Sequence, residues 1–150
     1  MRVLIQRVEK ASVSIEGRIK SQIQSGLLVL LGIEHDDDQD DINWLVEKLL
    51  KLRIFDDEKG VMNISVTDAD GELMVISQFT LHASTRKGAR PSYIRAARPE
   101  KAIPLYQDFL KSIEKKTGKK PASGEFGAHM KIDLINDGPV TIWIDSKNRE

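Results

Sequence analysis

The apolar run from Gly26 to Ile33 constrains the fold more than any other part of the sequence. It contains no polar side chain, and glycine stands at or near each end. Such a run is typical of a strand that is buried on both faces, and it is too short to cross a membrane as a helix. A chain that contains this strand must cover both sides of a sheet with other secondary structure.

Hydrophobic periodicity predicts the elements that could provide this cover. Alternating apolar residues predict strands over 3–8, 130–135 and 140–144, a hairpin that turns at Glu16-Gly17, and a long strand over 72–81. Helical spacing predicts one helix over 42–52, begun by aspartates, and a second from Pro99 to Gly118. Two helices are too few for a βαβ repeat. We therefore predict one α+β domain, residues 1–150, with six or seven strands in a strongly curved, mixed or largely antiparallel sheet.

The distribution of charge is more informative than the net charge of zero. No acidic residue occurs between Glu72 and Glu100, whereas five arginines and lysines do: Arg86, Lys87, Arg90, Arg95 and Arg98. This basic segment is either a solvated loop or a contact for a phosphate-bearing partner. The absence of cysteine excludes disulfides and thiol catalysis, and together with the lack of a signal core or a membrane-spanning run it fits a cytoplasmic protein.

The acidic run at residues 36–41 does not predict a metal site. Asp36, Asp38, Asp40 and Glu47 have the spacing of calcium ligands, but Asp41 stands where the calcium loop requires glycine. A charged helix start explains these residues better. The three histidines lack zinc-ligand spacing, so we predict neither a metal nor a cofactor.

A polar group of residues ends the predicted strand over 72–81. Ser77, Gln78 and Thr80 surround Phe79, and the basic segment follows directly. These side chains either line a pocket or lie on an exposed face. In the first case, the neighbouring basic segment points to an active site for a phosphate-bearing substrate.

The pair Gly138-Pro139 stands immediately before the last predicted strand. Proline cannot donate a hydrogen bond to a sheet, so the pair either closes a hairpin or presents a stiff piece of backbone to another molecule. The residues alone leave both alternatives open.

The motifs SQFTL (77–81), TRKGARPS (85–92) and NDGPVT (136–141) occur in an order that identifies a resemblance. With MRVLIQRV, GLLVLLGI and GELMVISQFTL, the chain resembles the D-aminoacyl-tRNA deacylases of the bacterial and eukaryotic type along its whole length. It departs from the family pattern at His82, Ser84 and Ala89, beside the expected site. The resemblance implies a barrel-like core and a homodimer.

The resemblance also implies roles for particular residues. Gly138-Pro139 would have a cis peptide bond and would enter the partner subunit's pocket, where rigid backbone excludes the side chain of an L-aminoacyl group. Glycine has no side chain to exclude, so glycyl-tRNA mischarged on the alanine tRNA would also be a substrate. Arg7 would hold the backbone around Gly138-Pro139, unless it is an ordinary surface arginine. Arg86, Lys87 and Arg90 would contact the tRNA acceptor stem.

The implied reaction is hydrolysis of the ester that joins the amino acid to the terminal adenosine. Ser77, Gln78, Phe79 and Thr80 would form the catalytic segment, with backbone N–H groups near Phe79 and Thr80 as an oxyanion hole. Thr80 is the obvious nucleophile, but the motif contains no base to activate it, which favours assistance by the tRNA 2′-OH. Two alternatives remain: a small esterase that uses Ser77 or Thr80 on free D-amino-acid derivatives, and a non-catalytic RNA-binding module.

Overall fold

The computed structural model describes residues 1–149 and contains two α-helices, eight strands and one short 3-10 helix. The predicted α+β class with two main helices is confirmed. The strands are β1 (Arg2–Ile15), β2 (Arg18–Ile23), β3 (Gly26–Gly32), β4 (Arg53–Asp56), β5 (Met62–Ser65), β6 (Glu72–Ser77), β7 (Ala122–Ser123) and β8 (Met130–Asp145). The helices are α1 (Gln39–Lys51) and α2 (Pro99–Thr117), and the 3-10 helix spans Phe79–His82.

The long strand β1 organises a six-stranded sheet. Strands β2 and β3 pair antiparallel with one edge of β1, and β8 pairs antiparallel with it along nearly its whole length. Strand β6 then joins β3 in parallel, and β7 joins β6 in parallel. The hydroxyl of Ser21 on β2 donates to the carbonyl of Ser123 on β7 at 2.8 Å, so the two ends of the strand order meet. The sheet is therefore mixed, curved and barrel-like, as predicted.

Strand β3 is buried on both faces, as its sequence predicts. Leu27 and Val29 pack into the core that α1 and α2 cover, whereas Leu28 packs with Met74 of β6 in a second core on the opposite face. The first residue of the strand must be glycine, because a Cβ added to Gly26 would lie only 1.9 Å from the carbonyl oxygen of Glu72. No larger residue fits where β3 and β6 begin side by side.

The aspartates at residues 38–41 begin helix α1, and the prediction that they do so is confirmed. The carboxylate of Asp38 accepts from the backbone N–H of Asp40 at 2.9 Å and of Asp41 at 3.4 Å, and the Asp41 carboxylate accepts from the Asp38 N–H at 3.0 Å. This reciprocal capping satisfies N–H groups that have no partner inside the helix. Burial favours a raised pKa for Asp41, but hydrogen bonds from Lys147 and Ser146 outweigh it and lower the pKa.

Helix α2 begins and ends where the sequence predicts. Pro99 occupies its first turn, and Gly118 closes it with a φ of 71° and an N–H bond to the carbonyl of Glu114 at 2.8 Å. A left-handed residue at this position is a common helix end, and glycine adopts it at little cost. None of the helices within residues 1–149 combines the length and the hydropathy needed to cross a membrane.

The bounds predicted for two strands, those over 3–8 and 72–81, are wrong. The predicted strand over 3–8 and the first arm of the hairpin at Glu16-Gly17 form one continuous strand, β1. The predicted strand over 72–81 ends at Ser77, and a 3-10 helix follows from Phe79 to His82. The change from apolar to polar residues at Ser77 therefore ends the strand; it does not mark an exposed face of a longer one.

The two predicted C-terminal strands are also one strand, β8. Because the segments before and after Gly138-Pro139 both pair antiparallel with β1, the chain does not reverse there, and the hairpin interpretation is wrong. The sequence analysis also missed the hairpin of β4 and β5 and the two-residue strand β7.

Candidate active site

A cavity of about 260 Å³ lies at the end of β6, and three of the four predicted catalytic residues line it. These are Ser77, Gln78 and Phe79. The remaining wall is mainly apolar and comes from the ends of β3 and β6, the start of α2 and the start of β8 with the residues before it: Leu31, Ile33, Ile76, Ala97, Ala102, Phe126, Gly127, Ala128, His129, Met130 and Ile132. An apolar pocket with a few polar groups at one end is a typical small-ligand site. A larger cavity lies elsewhere, between β6, β7 and the end of α2, and contains none of the predicted site residues.

The predicted catalytic segment, residues 77–80, turns sharply at the edge of this cavity. The Gln78 N–H donates to the carbonyl of Leu31 at 2.7 Å, which holds the end of β6 against β3. The chain then enters the 3-10 helix, where the Gln78 side-chain amide donates to the hydroxyl oxygen of Thr80 at 2.5 Å. Thr80 is therefore fixed beside the cavity but is not part of its lining. An amide N–H is a donor only, so Gln78 does not remove a proton from Thr80 in this arrangement.

Two buried polar side chains lie behind the turn. His82 is 1% exposed, and its Nδ1 lies 3.9 Å from Oε2 of Glu34. Burial lowers the pKa of His82, although the Glu34 carboxylate acts in the opposite direction. Oε2 of Glu34 also accepts a hydrogen bond from Nη2 of Arg95 at 2.8 Å. Glu34 thus lies between the 3-10 helix and the basic segment, a link that no sequence motif indicated.

Gly138 and Pro139 form an exposed bulge in β8 opposite Arg7. Gln6 pairs with Thr141 and Val8 pairs with Asn136, so the four residues 137–140 lie opposite Arg7 alone. The Gly138–Pro139 peptide bond is cis. Gly138 has a φ of 133°, and a Cβ there would lie 2.6 Å from Cγ2 of Val140, so glycine is required.

Arg7 is buried beneath the bulge and is not a surface residue. Its Nε donates to the carbonyl of Asp137 at 3.1 Å, and its Nη1 donates to the carbonyl of Ile54 at 2.7 Å. The guanidinium also lies 3.2 Å from carboxylate oxygens of both Asp56 and Asp137. These contacts tie the base of the bulge to strand β4.

Asn136 provides a second anchor for the bulge, and the sequence analysis did not select it. Its side-chain amide donates to the carbonyl of Arg7 at 2.9 Å and to the carbonyl of Val140 at 3.0 Å. It therefore bridges the two ends of the bulge to the neighbouring strand. The only sequence signal was its position just before Asp-Gly-Pro, because asparagine often bonds to nearby backbone.

The cavity and the bulge are separate in a single chain. Within residues 1–149, the lining of the cavity includes neither Arg7 nor Gly138 nor Pro139. The structure therefore brings together Ser77, Gln78 and Phe79 in one place, and Arg7 with Gly138 and Pro139 in another.

The basic segment forms an exposed loop that follows the 3-10 helix. Ser84 and Ser92 bond to each other through backbone groups at 2.8 and 2.9 Å, which closes the loop that contains Arg86, Lys87 and Arg90. All three cations are exposed. In the part of the chain that the structure describes, no cluster of three or more histidine, aspartate or glutamate side chains could hold a metal ion.

Comparison with known proteins identifies the family. The model of the D-Tyr-tRNA(Tyr) deacylase family matches residues 4–145. The chain belongs to this deacylase family. A D-aminoacyl-tRNA deacylase of Flavobacterium johnsoniae is 63% identical, and one of Bacteroides fragilis (strain YCH46) is 60% identical, each over 150 residues and the whole of both chains.

Solved structures support the same fold. A c-Myc DNA unwinding element binding protein has 39% identity to this chain and a TM-score of 0.92, with 97% of this chain and 98% of that chain covered. A probable eukaryotic D-amino acid tRNA deacylase has a TM-score of 0.82 over 95% and 97% of the two chains; at 16% identity this match supports the deacylase fold alone. The resemblance to the deacylase family that the sequence motifs indicated is confirmed.

Proposed function

We propose that this protein is an editing hydrolase that removes D-amino acids, and glycine mischarged on the alanine tRNA, from tRNA. Water cleaves the ester between the aminoacyl carbonyl and the ribose of the terminal adenosine, which releases the free amino acid and intact tRNA. Membership of the deacylase family supports the reaction. The separation of the cavity at the end of β6 from the exposed Gly138-Pro139 bulge is the structural observation that carries the rest of the proposal.

The bulge acts in the partner subunit of a homodimer. It is exposed, it does not line the cavity of its own chain, and Arg7 and Asn136 hold its base in place. In the partner's cavity, the backbone of Gly138 and Pro139 faces the chiral centre of the substrate. A D-aminoacyl group directs its side chain away from this backbone, whereas the side chain of an L-aminoacyl group meets it. Selection by exclusion requires no recognition of the side chain, so many D-amino acids are accepted.

The protein contributes position and electrostatics more than a nucleophile. The backbone N–H groups of Phe79 and Thr80 stabilise the oxyanion. The Thr80 hydroxyl is engaged by the Gln78 amide, which provides no base, and this contact favours assistance by the tRNA 2′-OH over attack by Thr80. No cofactor is needed for hydrolysis of an activated ester by this route.

Arg86, Lys87 and Arg90 contact the phosphates of the acceptor stem. Each phosphate contact releases counterions, so affinity for tRNA falls as salt rises. Replacing all three cations by glutamine reduces the slope of log affinity against log salt by about 2 to 3. Filter binding with non-cognate and cognate tRNAs measures this slope. An unchanged slope would show that the loop is solvated and does not contact tRNA.

The decisive test of the reaction compares D-tyrosyl-tRNA with L-tyrosyl-tRNA at equal concentrations. The proposal predicts rapid loss of the D ester, with the L ester decaying only at its spontaneous rate. A D-amino-acid ester that lacks RNA, such as D-tyrosine ethyl ester, should be hydrolysed poorly. Efficient cleavage of that ester would instead favour a small esterase that uses Ser77 or Thr80.

A non-catalytic nucleic-acid-binding protein is the second candidate, because a 39% identical relative is described as a DNA unwinding element binding protein. This candidate predicts binding of RNA or DNA without any loss of ester from either stereoisomer. The same assay, combined with the binding measurement, therefore separates the two functions.

A further inference from the structure

Two aromatic rings and one aliphatic side chain lie exposed beside the mouth of the cavity. Phe79 is 55% exposed, Tyr93 is 39% exposed and Ile94 is 84% exposed. The rings of Phe79 and Tyr93 meet edge to face, with 5.0 Å between their centroids and an interplanar angle of 74°. Phe79 also lines the cavity, so the apolar surface is continuous with it.

The loop that precedes this patch is strongly basic. It contains Arg86, Lys87 and Arg90, whereas Arg95, which follows Tyr93, is paired with the Glu34 carboxylate at 2.8 Å. No acidic residue occurs in the sequence between Glu72 and Glu100. Aromatic side chains among cations are typical of surfaces that bind single-stranded nucleic acid, because bases stack on the rings while phosphates meet the charges.

The position of Tyr93 is well defined by its neighbours. The carbonyl of Tyr93 accepts from the Ala96 N–H at 3.0 Å, and Ala97 donates to the carbonyl of Ile33 at 2.9 Å. The carbonyl of Ile94 lies 3.2 Å from Nε2 of His35. The ring is thus presented on backbone that is fastened to the end of β3, and little ordering is required when a ligand binds.

We propose that Phe79 and Tyr93 form a stacking platform for the unpaired base that precedes the terminal adenosine of the substrate tRNA. This inference rests on the proposed function, because it places the terminal nucleotide and its amino acid in the adjacent cavity. The preceding base leaves the cavity over Phe79 and stacks on Tyr93, and its phosphate meets the basic loop. The platform fixes the ester relative to the catalytic turn without reading the identity of the tRNA, since every base has a face that stacks.

The test removes the ring and the base separately. Tyr93→Ala should raise the KM for D-tyrosyl-tRNA about tenfold, the size expected for one lost base–aromatic stack, with a much smaller effect on kcat. Tyr93→Phe retains the ring and should behave as the wild type. Ile94→Ala is the matched control, since it shortens the neighbouring exposed side chain without removing a ring, and it should also leave KM unchanged.

A second substrate isolates the contact. A D-tyrosylated acceptor-stem RNA with an abasic site before the terminal adenosine should bind the wild type about tenfold more weakly than the intact RNA. Tyr93→Ala should then cause no further loss on the abasic RNA. Equal losses from Tyr93→Ala on both RNAs would overturn the platform, as would equal losses from Ile94→Ala and Tyr93→Ala.

Three further outcomes distinguish this inference from its alternatives. If the wild type hydrolyses D-tyrosyl-tRNA and Tyr93→Ala matches it in KM, the proposed function stands and the platform is wrong. If Tyr93→Ala changes the oligomeric state in sedimentation, the patch is covered by a second copy of the chain and the platform is again wrong. Failure of the wild type to hydrolyse the D ester would instead refute the proposed function.

Discussion

Replacing Arg7 by alanine should destabilise the protein and loosen its stereochemical selection together. The side chain is only 7% exposed, and it donates to two backbone carbonyls, those of Ile54 and Asp137. Hydrogen bonds from a charged donor contribute roughly 1.5–3 kcal/mol each. The carboxylates of Asp56 and Asp137 are 50% and 55% exposed, so the ion pairs add little. We therefore expect Arg7→Ala to lower the free energy of unfolding by about 4 kcal/mol.

The measurement is urea unfolding followed by tryptophan fluorescence. It is made at one fixed protein concentration, because the stability of the proposed dimer would depend on concentration. Arg53→Ala is the matched control, since Arg53 is an exposed arginine on the neighbouring strand β4, and it should change stability by less than about 0.5 kcal/mol. Arg7→Lys should fall between the two, because an ammonium cannot reach both carbonyls with the fork geometry of a guanidinium.

The second readout is the ratio of the hydrolysis rates of D- and L-tyrosyl-tRNA. Without Arg7 the bulge loses one of its two anchors, so the L ester should be cleaved measurably faster than by the wild type while the D ester remains a substrate. The reasoning is refuted if Arg7→Ala is as stable as Arg53→Ala, or if it is destabilised but rejects the L ester as strictly as the wild type.

Three further outcomes are expected. Burial lowers the pKa of His82 below its ordinary value of 6.5. Below this pH the unfolded state therefore binds more protons, and stability falls as the pH decreases. His82→Leu should flatten this dependence below about pH 6.5, as measured by urea unfolding at each pH. Gly26→Ala should lower the free energy of unfolding by more than about 3 kcal/mol or prevent folding, because its Cβ would lie 1.9 Å from a backbone oxygen of β6. Gly60→Ala meets no atom within 4 Å, so it should lower the free energy of unfolding by only about 1 kcal/mol, the cost of its φ of 72°. Thr80→Ala should retain most of the single-turnover rate on D-tyrosyl-tRNA, and a fall of a thousandfold with unchanged binding would identify Thr80 as the nucleophile.

Local patterns predicted the parts of the fold in which one residue type determines the structure. Three features depend only on contacts within a few residues or on a single burial pattern. They are the strand in 26–33 that is buried on both faces, the aspartate cap of α1 and the glycine that ends α2. The sequence therefore contains enough information to locate them. The class and the two helices follow from the same signals.

Long-range pairing was not predictable in the same way. Whether Gly138-Pro139 reverses the chain depends on β1 pairing with both sides of it, and that pairing involves residues more than a hundred positions away. The short strand β7 is selected by its contact with β6, not by its own two residues. The position of the chain just after β6 likewise depends on a distant contact, the hydrogen bond from the Gln78 N–H to the carbonyl of Leu31.

The candidate site was predicted in part for the same reason. Ser77, Gln78 and Phe79 are adjacent in sequence, so one motif was sufficient to find them. Asn136 and the link from Glu34 to Arg95 hold the site through contacts between distant elements, and no periodicity reveals such contacts. The family resemblance, which compares whole chains, indicated Arg7 where the local pattern could not.

The central claim, that Gly138 and Pro139 act in the partner's cavity, is tested most directly with a mixed dimer. One subunit carries Ala128→Trp, which fills the cavity that Ala128 lines, and the other carries Gly138→Ala; two affinity tags are used to purify the mixed species. If the bulge acts across the interface, one of the two sites combines an intact cavity with an intact bulge, so the mixed dimer should cleave D-tyrosyl-tRNA at about half the wild-type rate and reject the L ester. If the bulge acts within its own subunit, the only intact cavity retains the altered bulge. The mixed dimer would then show the selectivity of the Gly138→Ala homodimer, and that result would contradict the account.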